Sequence, residues 1–327
     1  MTTLQRFESI QSQAAAERIR GVLRRTELAS FPSGSDALEV RLKLECQQET
    51  GSFKTRGAWN QISQLTDEQR AAGVVATSSG NHGKALSWAA QRAGVKATIF
   101  MPADAYPNKI EACREFDAEV VLGESREAAE EGCAERVRAG ATLVHPYDDE
   151  RTVEGAGTVG LEVAQDWPEV DVVVLPVGGG GLLSGSSLAL RRALGERVKI
   201  VGVEPEGAAS MSRGLEAGEP VLLSEITTSV QGLCPLNSGA LNIAIAKECV
   251  DRVFTIDDEA IFATQAKLIR DGGWVVEPAG AAAAAFVLGG GLPPEWSAEL
   301  DRPLRVAIVV SGGNPAPEQL AELRARS

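Results

Sequence analysis

The chain of 327 residues exceeds the roughly 150 residues of an ordinary domain, and its 44% hydrophobic and 24% charged content is that of a globular protein of two lobes, not of a disordered chain. A formal charge of −13, with no local basic patch set against it, argues against nucleic acid or any other polyanion as a partner. Five cysteines without a Cys-x-x-Cys pair, Cys46, Cys113, Cys133, Cys234 and Cys249, suit a reducing compartment; residues 1–25 hold no apolar run of signal or membrane-span length, so a cytoplasmic location and no membrane partner are expected.

In chain order, residues 36–46 alternate as a strand in ALEVRLKLEC, and residues 49–58, ETGSFKTRGA, read as a turn followed by a helix start. From 73 to 147, short apolar runs alternate with amphipathic stretches: GVVAT, NHGKALSWAAQRAG, VKATIFMP, NKIEACREF, AEVVLG, SREAAEEGCAERVRAG and ATLVHP. Strand then helix, repeated, predicts parallel strands, because parallel neighbours need a crossover and the helix supplies it. After Asp148-Asp149 comes a second series: a helix over 153–166, the strand VDVVVLPV, a helix over 181–194, the strands VKIVGVEP and VDRVFTI, a helix through 261–269, a helix opening near Pro278 and the buried strand LRVAIVVSGG. The expected class is α/β, with two open, mostly parallel twisted sheets carrying helices on both faces. The smaller domain, 73–149, is inserted in the larger, 1–72 with 150–327, and a ligand is expected where strand ends and helix starts converge between them.

Four stretches can carry chemistry. Lys54, in SFKTRGA, sits among Gly51, Ser52, Phe53 and Gly57; an amine seated in such a tight, partly apolar pocket loses solvation and becomes a usable nucleophile. An arbitrary lysine is a solvated surface residue. The stretch Thr77-Ser78-Ser79-Gly80-Asn81-His82-Gly83 follows a strand and opens a helix, where unpaired N–H groups suit a carboxylate, although Ser, Gly and Asn are also ordinary capping residues. Gly178, Gly179, Gly180 and Gly181 lie between a strand and a helix; their N–H groups and the helix dipole suit a phosphate without any lysine, or else they form a tight turn. Ser311, at the end of the last strand, either faces the same cleft or starts a turn. His82 and His145 lack partners at metal-ligand spacing, which disfavours zinc, and no Gly-x-Ser-x-Gly elbow supports a serine hydrolase.

Taken in this order, SFKTRGA, SSGNHG, GGGGLLSG and SGGN resemble the serine/threonine dehydratase and serine racemase family of pyridoxal phosphate enzymes, over about residues 18–314. The resemblance implies Lys54 as the Schiff-base lysine and Phe53 as the ring-packing aromatic. It implies Gly178, Gly179, Gly180 and Gly181 with Leu182 as the phosphate cup, Asn81 on the cofactor's phenolic oxygen and Ser311 at the pyridine nitrogen. Ser78, Ser79, Gly80, Asn81 and His82 would hold the substrate carboxylate, and Ser79 is where the racemases carry a second proton carrier. The implied activity is dehydration and deamination of a small hydroxy amino acid, such as threonine or serine, to a 2-keto acid and ammonia, with serine racemisation at the side and a homodimer as the expected assembly. A divalent cation, Mg or Ca, would lie at Glu204 and Ala208, but Ser210 stands where the family places a second acid, and a hard cation prefers charged oxygens.

Other readings stay open at this level. The segment 231–238, QGLCPLNS, is atypical of a plain threonine deaminase, so the substrate can differ; 3-hydroxyaspartate is kept as an alternative. A β-replacement synthase of the cysteine synthase type shares the fold and the lysine. A nicotinamide-dependent oxidoreductase would use VDVVVLPVGGGG and Glu204, but it leaves SFKTRGA and SSGNHG without a role.

Overall fold

The computed structural model describes residues 3–298 and 300–325. Its strands are β1 (Leu28–Phe31), β2 (Leu38–Lys43), β3 (Val74–Thr77), β4 (Ala97–Pro102), β5 (Glu119–Gly123), β6 (Thr142–Leu143), β7 (Val172–Pro176), β8 (Lys199–Pro205), β9 (Arg252–Ile256) and β10 (Leu304–Val309). They form a six-stranded sheet of order β1-β2-β10-β7-β8-β9 and a four-stranded sheet of order β5-β4-β3-β6. Every pairing is parallel except β1 with β2.

The large sheet is covered on both faces, which explains why its central strands read as unbroken apolar runs. Successive side chains of a strand point to opposite faces. Val172 and Val174 of β7 and Val306 and Ile308 of β10 therefore join one core, while Val173, Leu175, Ala307 and Val309 join the other. The helix Pro278–Leu288 lies in the first of these cores and is buried almost all round, consistent with its PAGAAAAAFVL sequence, which has no polar face.

Three local features differ from the expectation. Residues 153–166 form two helices, Glu150–Ala156 and Thr158–Asp166, separated at Gly157. A Cβ at Gly157 would collide with Ser12 Oγ and with the Gly185 carbonyl of the helix Gly181–Leu194, so the break marks a backbone crossing too close for any side chain. The antiparallel edge strand β1 and the helix Ser12–Ile19, which buries Ser12, Ala15 and Ile19 at helical spacing, are additional to the expected elements. Finally, the core of the small sheet takes in Ala58, Ile62 and Leu65, from the chain before residue 73. The helix Lys54–Ile62 packs on the helix Asn81–Ala93 as well as on Glu150–Ala156, so it belongs to the small sheet's core as much as to the larger lobe.

That helix is tied to the large sheet from beneath by charge. Arg56 is fully buried and grips Glu45 through Nε and Nη2 at 2.7 and 2.8 Å, and Glu162 through Nη1 and Nη2 at 2.7 and 2.9 Å. Lys43, also fully buried, donates to Glu162 at 2.6 Å and to the Thr26 carbonyl at 2.6 Å. Two cations thus face two carboxylates in the interior, with the planar guanidinium matched edge to edge against both acids.

Candidate active site

Lys54 opens its helix. The turn before it is laced antiparallel to the end of β10: Phe53 N–H donates to the Ser311 carbonyl at 3.1 Å, Ser52 bridges Gly312, and Gly313 N–H donates to the Gly51 carbonyl at 2.8 Å. SFK and SGG, remote in sequence, are therefore one piece of structure. The half-buried Lys54 amine lies 5.0 Å from the Phe53 ring centroid and donates to the Pro146 carbonyl at 2.7 Å. Loss of solvent around it brings its pKa down from 10.5 to about 8, so much of the amine is neutral in mildly alkaline water.

The next residue along, Tyr147, lies against the glycine turn, and a Cβ at Gly179 would run into its ring. Gly180 has φ +97°, a conformation that L side chains rarely adopt, and a Cβ there would also meet Met211 and Asn242. Among the described residues, no protein acceptor receives the N–H of Gly178, Gly179, Gly180 or Gly181. Four donors at the start of the helix Gly181–Leu194, backed by its dipole, form a receptor of the size and charge of a phosphate.

The serine turn offers a second receptor in its N–H groups. Ser78 Oγ accepts from Gly80 N–H at 3.3 Å and Gly83 N–H at 3.1 Å, which ties its oxygen to the first turn of the helix Asn81–Ala93 and leaves its O–H to donate. The N–H groups of Ser79, Asn81 and His82 have no protein acceptor among the described residues, and Ser79 is exposed. His82 is buried and donates from Nε2 to the Val144 carbonyl at 2.8 Å; burial holds its pKa down at about 3, so it is a neutral structural group. His145 is also held below its ordinary value by burial, and its Nδ1 accepts from Tyr147 and Asp148 N–H at 3.3 and 2.8 Å.

Asn81 reaches the other lobe. Its Nδ2 donates to Glu277 Oε1 at 2.5 Å and its Oδ1 accepts from Asn314 Nδ2 at 2.8 Å, which leaves one amide hydrogen uncommitted. Glu277 is buried, which pushes its pKa up, while Lys109, Asn81, Asn314 and Lys84 oppose that shift. Lys84 and Lys109 donate to Asn314 Oδ1 and O at 3.0 and 2.8 Å. Ser311 is buried beside this group and makes one long contact, 3.4 Å to the Ala279 carbonyl. Glu277 and the Pro146-Tyr147 pair were missed from sequence; the acid precedes a helix like many capping residues, and nothing local marks a carbonyl as an amine's partner.

The sequence-predicted residues Lys54, Phe53, Asn81, Ser311 and the glycine turn with Leu182 are joined in one continuous set of contacts through Pro146, Tyr147 and Gly312. Glu204 and Ala208 are not part of it. Glu204 is fully buried, with its oxygens accepting Met211 and Ser212 N–H at 2.9 Å each, and Ser210 Oγ pairs with Ser238 Oγ at 2.9 Å. Burial raises the Glu204 pKa, and no group of three acid, histidine or cysteine side chains suited to a metal occurs among the described residues. This donor set does not fit a hard divalent cation. An amine beside a phenylalanine ring, together with N–H donors that have no protein acceptor among the described residues, does fit pyridoxal phosphate.

The comparisons agree with that chemistry. The chain is 39% identical to the L-threonine ammonia-lyase of Thermotoga maritima over 305 residues, 92% of this chain and 74% of that protein. It is 36% identical to the phenylserine dehydratase of Ralstonia pickettii over 277 residues, 84% and 82% of the two chains. The structure of maize serine racemase superposes with a TM-score of 0.88 at 32% identity, covering 96% of each chain. Residues 19–312 match the family model described as pyridoxal-phosphate dependent enzyme; the chain belongs to that family.

Proposed function

We propose that this protein is an ammonia-lyase acting on a small hydroxy amino acid such as threonine or serine, and that it releases a 2-keto acid and ammonia. The observation that carries the reading is the seat of Lys54: a desolvated amine on Pro146, joined by Tyr147 to four unpaired glycine N–H groups and by Ser311 and Gly312 to Asn81 and its serine turn.

Pyridoxal phosphate, when bound, supplies an aldehyde for Lys54 and a ring that takes up the electron pair left when the substrate α-carbon loses its proton. The chain's residues do the rest. Gly178, Gly179, Gly180 and Gly181 would hold the phosphate with their N–H donors, Phe53 would pack on the ring, and Asn81 would give its remaining amide hydrogen to the phenolic oxygen. The N–H groups of Ser79, Asn81 and His82 hold the substrate carboxylate and so turn the α-hydrogen toward Lys54. The Lys54 amine, when free, would be the base that takes the α-proton, because burial lowers its pKa to about 8 and leaves part of it unprotonated near neutral pH. Ser311, buried with one long hydroxyl contact, would offer the pyridine nitrogen a neutral hydroxyl in place of a carboxylate. The released enamine loses ammonia in water.

The same reading includes serine racemisation at the side, with exposed Ser79 as the second proton carrier, and a homodimer in the cytoplasm with 73–149 as the substrate-loop lobe and 1–72 with 150–327 as the cofactor lobe. No divalent cation enters it, because Glu204 is engaged by backbone N–H groups. The test is a panel of serine, threonine, phenylserine and 3-hydroxyaspartate scored for 2-keto acid and ammonia, with a thiol added in a parallel arm. Keto acid in step with ammonia supports elimination; a thioether product without keto acid would replace the proposal with β-replacement.

A further inference from the structure

Asn242 ties two distant segments of the site together. It is fully buried at the start of the helix Ala240–Cys249, and its Nδ2 donates to two carbonyls from distant parts of the chain, Gly179 O and Tyr147 O, each at 2.9 Å. Its own Oδ1 is buried with no partner. Leaving an amide oxygen unpaired in the interior is unfavourable, so the position serves the two donated bonds.

The Gly179 carbonyl also accepts Gly239 N–H at 3.1 Å, and the Gly178 carbonyl accepts Ser238 Oγ at 3.4 Å. In a trans peptide the C=O and the following N–H point in opposite directions. Carbonyls of Gly178 and Gly179 drawn toward 238–242 therefore turn the N–H groups of Gly179 and Gly180 away from that segment, and neither has a protein acceptor among the described residues. We propose that Asn242, assisted by Ser238, is a positioning residue that aims the glycine-turn N–H donors at the cofactor's phosphate and braces that cup against the Tyr147 segment beside Lys54. The inference rests on the cofactor reading given above. It gives the atypical segment 231–238 and its continuation a role: they fix peptide planes that four glycines would otherwise leave loose.

The amine side of the site has its own support. Asp148 accepts Ala240 and Leu241 N–H at 3.2 and 3.0 Å, so the 147–148 segment stays anchored when Asn242 is shortened. Asn242→Ala should therefore weaken the phosphate contact selectively. Cofactor-free protein is titrated with pyridoxal 5′-phosphate and, separately, with pyridoxal, which keeps the aldehyde and lacks the phosphate. The affinity ratio of the two should fall about tenfold in Asn242→Ala, the effect of one lost hydrogen bond with its reoriented peptide, with pyridoxal affinity nearly unchanged and the ³¹P resonance of the bound cofactor moved toward that of free cofactor. Asn242→Ser, which keeps a donor, should recover part of the ratio. Equal weakening of both aldehydes, or an unchanged ratio, overturns the positioning role. If Asn242→Ala does not fold, Ser238→Ala is read in the same way, and a ratio equal to wild type has the same consequence. A wild-type protein that does not prefer the phosphorylated aldehyde would sink the cofactor site itself, a failure distinguishable from that of Asn242 because no variant is involved.

Discussion

Replacing Arg56 by Met tests whether the buried charge cluster holds the lysine-bearing helix in place. The guanidinium makes paired contacts with Glu45 and Glu162 and a further bond to Thr158 Oγ1 at 3.1 Å, all out of solvent. With Met at this position two buried carboxylates face Lys43 as their one remaining cation in the cluster, and the local charge changes from zero to −1. Breaking a buried pair by removing one partner costs about 3–5 kcal/mol, and at about 2 °C per kcal/mol for a chain of this size the melting temperature falls by about 6–10 °C. The pH dependence has a definite sign. Arg56 and Lys43 hold the Glu162 pKa below its usual value despite burial, so its contribution in the wild type is present above the unfolded value near 4.5 and is lost as pH falls through the lower folded value. In Arg56→Met the guanidinium's lowering is lost, so burial raises the same carboxyl relative to wild type against Lys43 alone, and proton uptake restores part of the lost stability. The deficit relative to wild type is thus largest at pH 7–8 and narrows toward pH 5. Differential scanning calorimetry of the cofactor-free proteins at both pH values measures it, with Arg56→Lys expected between the two. A drop under about 2 °C at pH 7.5, or a deficit that does not change with pH, would refute the argument.

Lys54→Ala should abolish keto acid formation and the visible absorbance of the bound cofactor together, and retention of both would exclude this amine. Because the free Lys54 amine titrates near pH 8, the rate of cofactor capture by cofactor-free protein should rise with pH up to about that value and level off above it; stopped-flow absorbance shows this, and a flat profile from pH 6.5 to 9 counts against the desolvated seat. Ser79→Ala should remove D-serine formation from L-serine while leaving most of the keto acid yield, and chiral chromatography showing the same D-serine yield would dismiss Ser79 as a proton carrier.

Some of this protein was written locally. The apolar runs of β7 and β10 announce buried parallel strands because a sheet covered on both faces has no polar side to show, and the glycine turn and serine turn are visible because backbone donors at helix starts call for small residues in a row. The order of SFKTRGA, SSGNHG, GGGGLLSG and SGGN was enough to point to the family and to Lys54. What the linear pattern lacked were relations between distant residues. That Lys54 rests on the Pro146 carbonyl, that Ser78 Oγ accepts Gly83 N–H, that Glu277 and Asn314 use most of Asn81, and that Asn242 fixes two carbonyls of different segments all depend on packing. A carbonyl carries no residue signature and an asparagine or glutamate has the same letter in a cap, a surface or a core, so their partners emerge only when the chain is folded. The same holds for Gly157 and for the charge of Arg56: periodicity continued a helix through the first and could not tell that the second is buried, because both are decided by a neighbour that the sequence places many residues away.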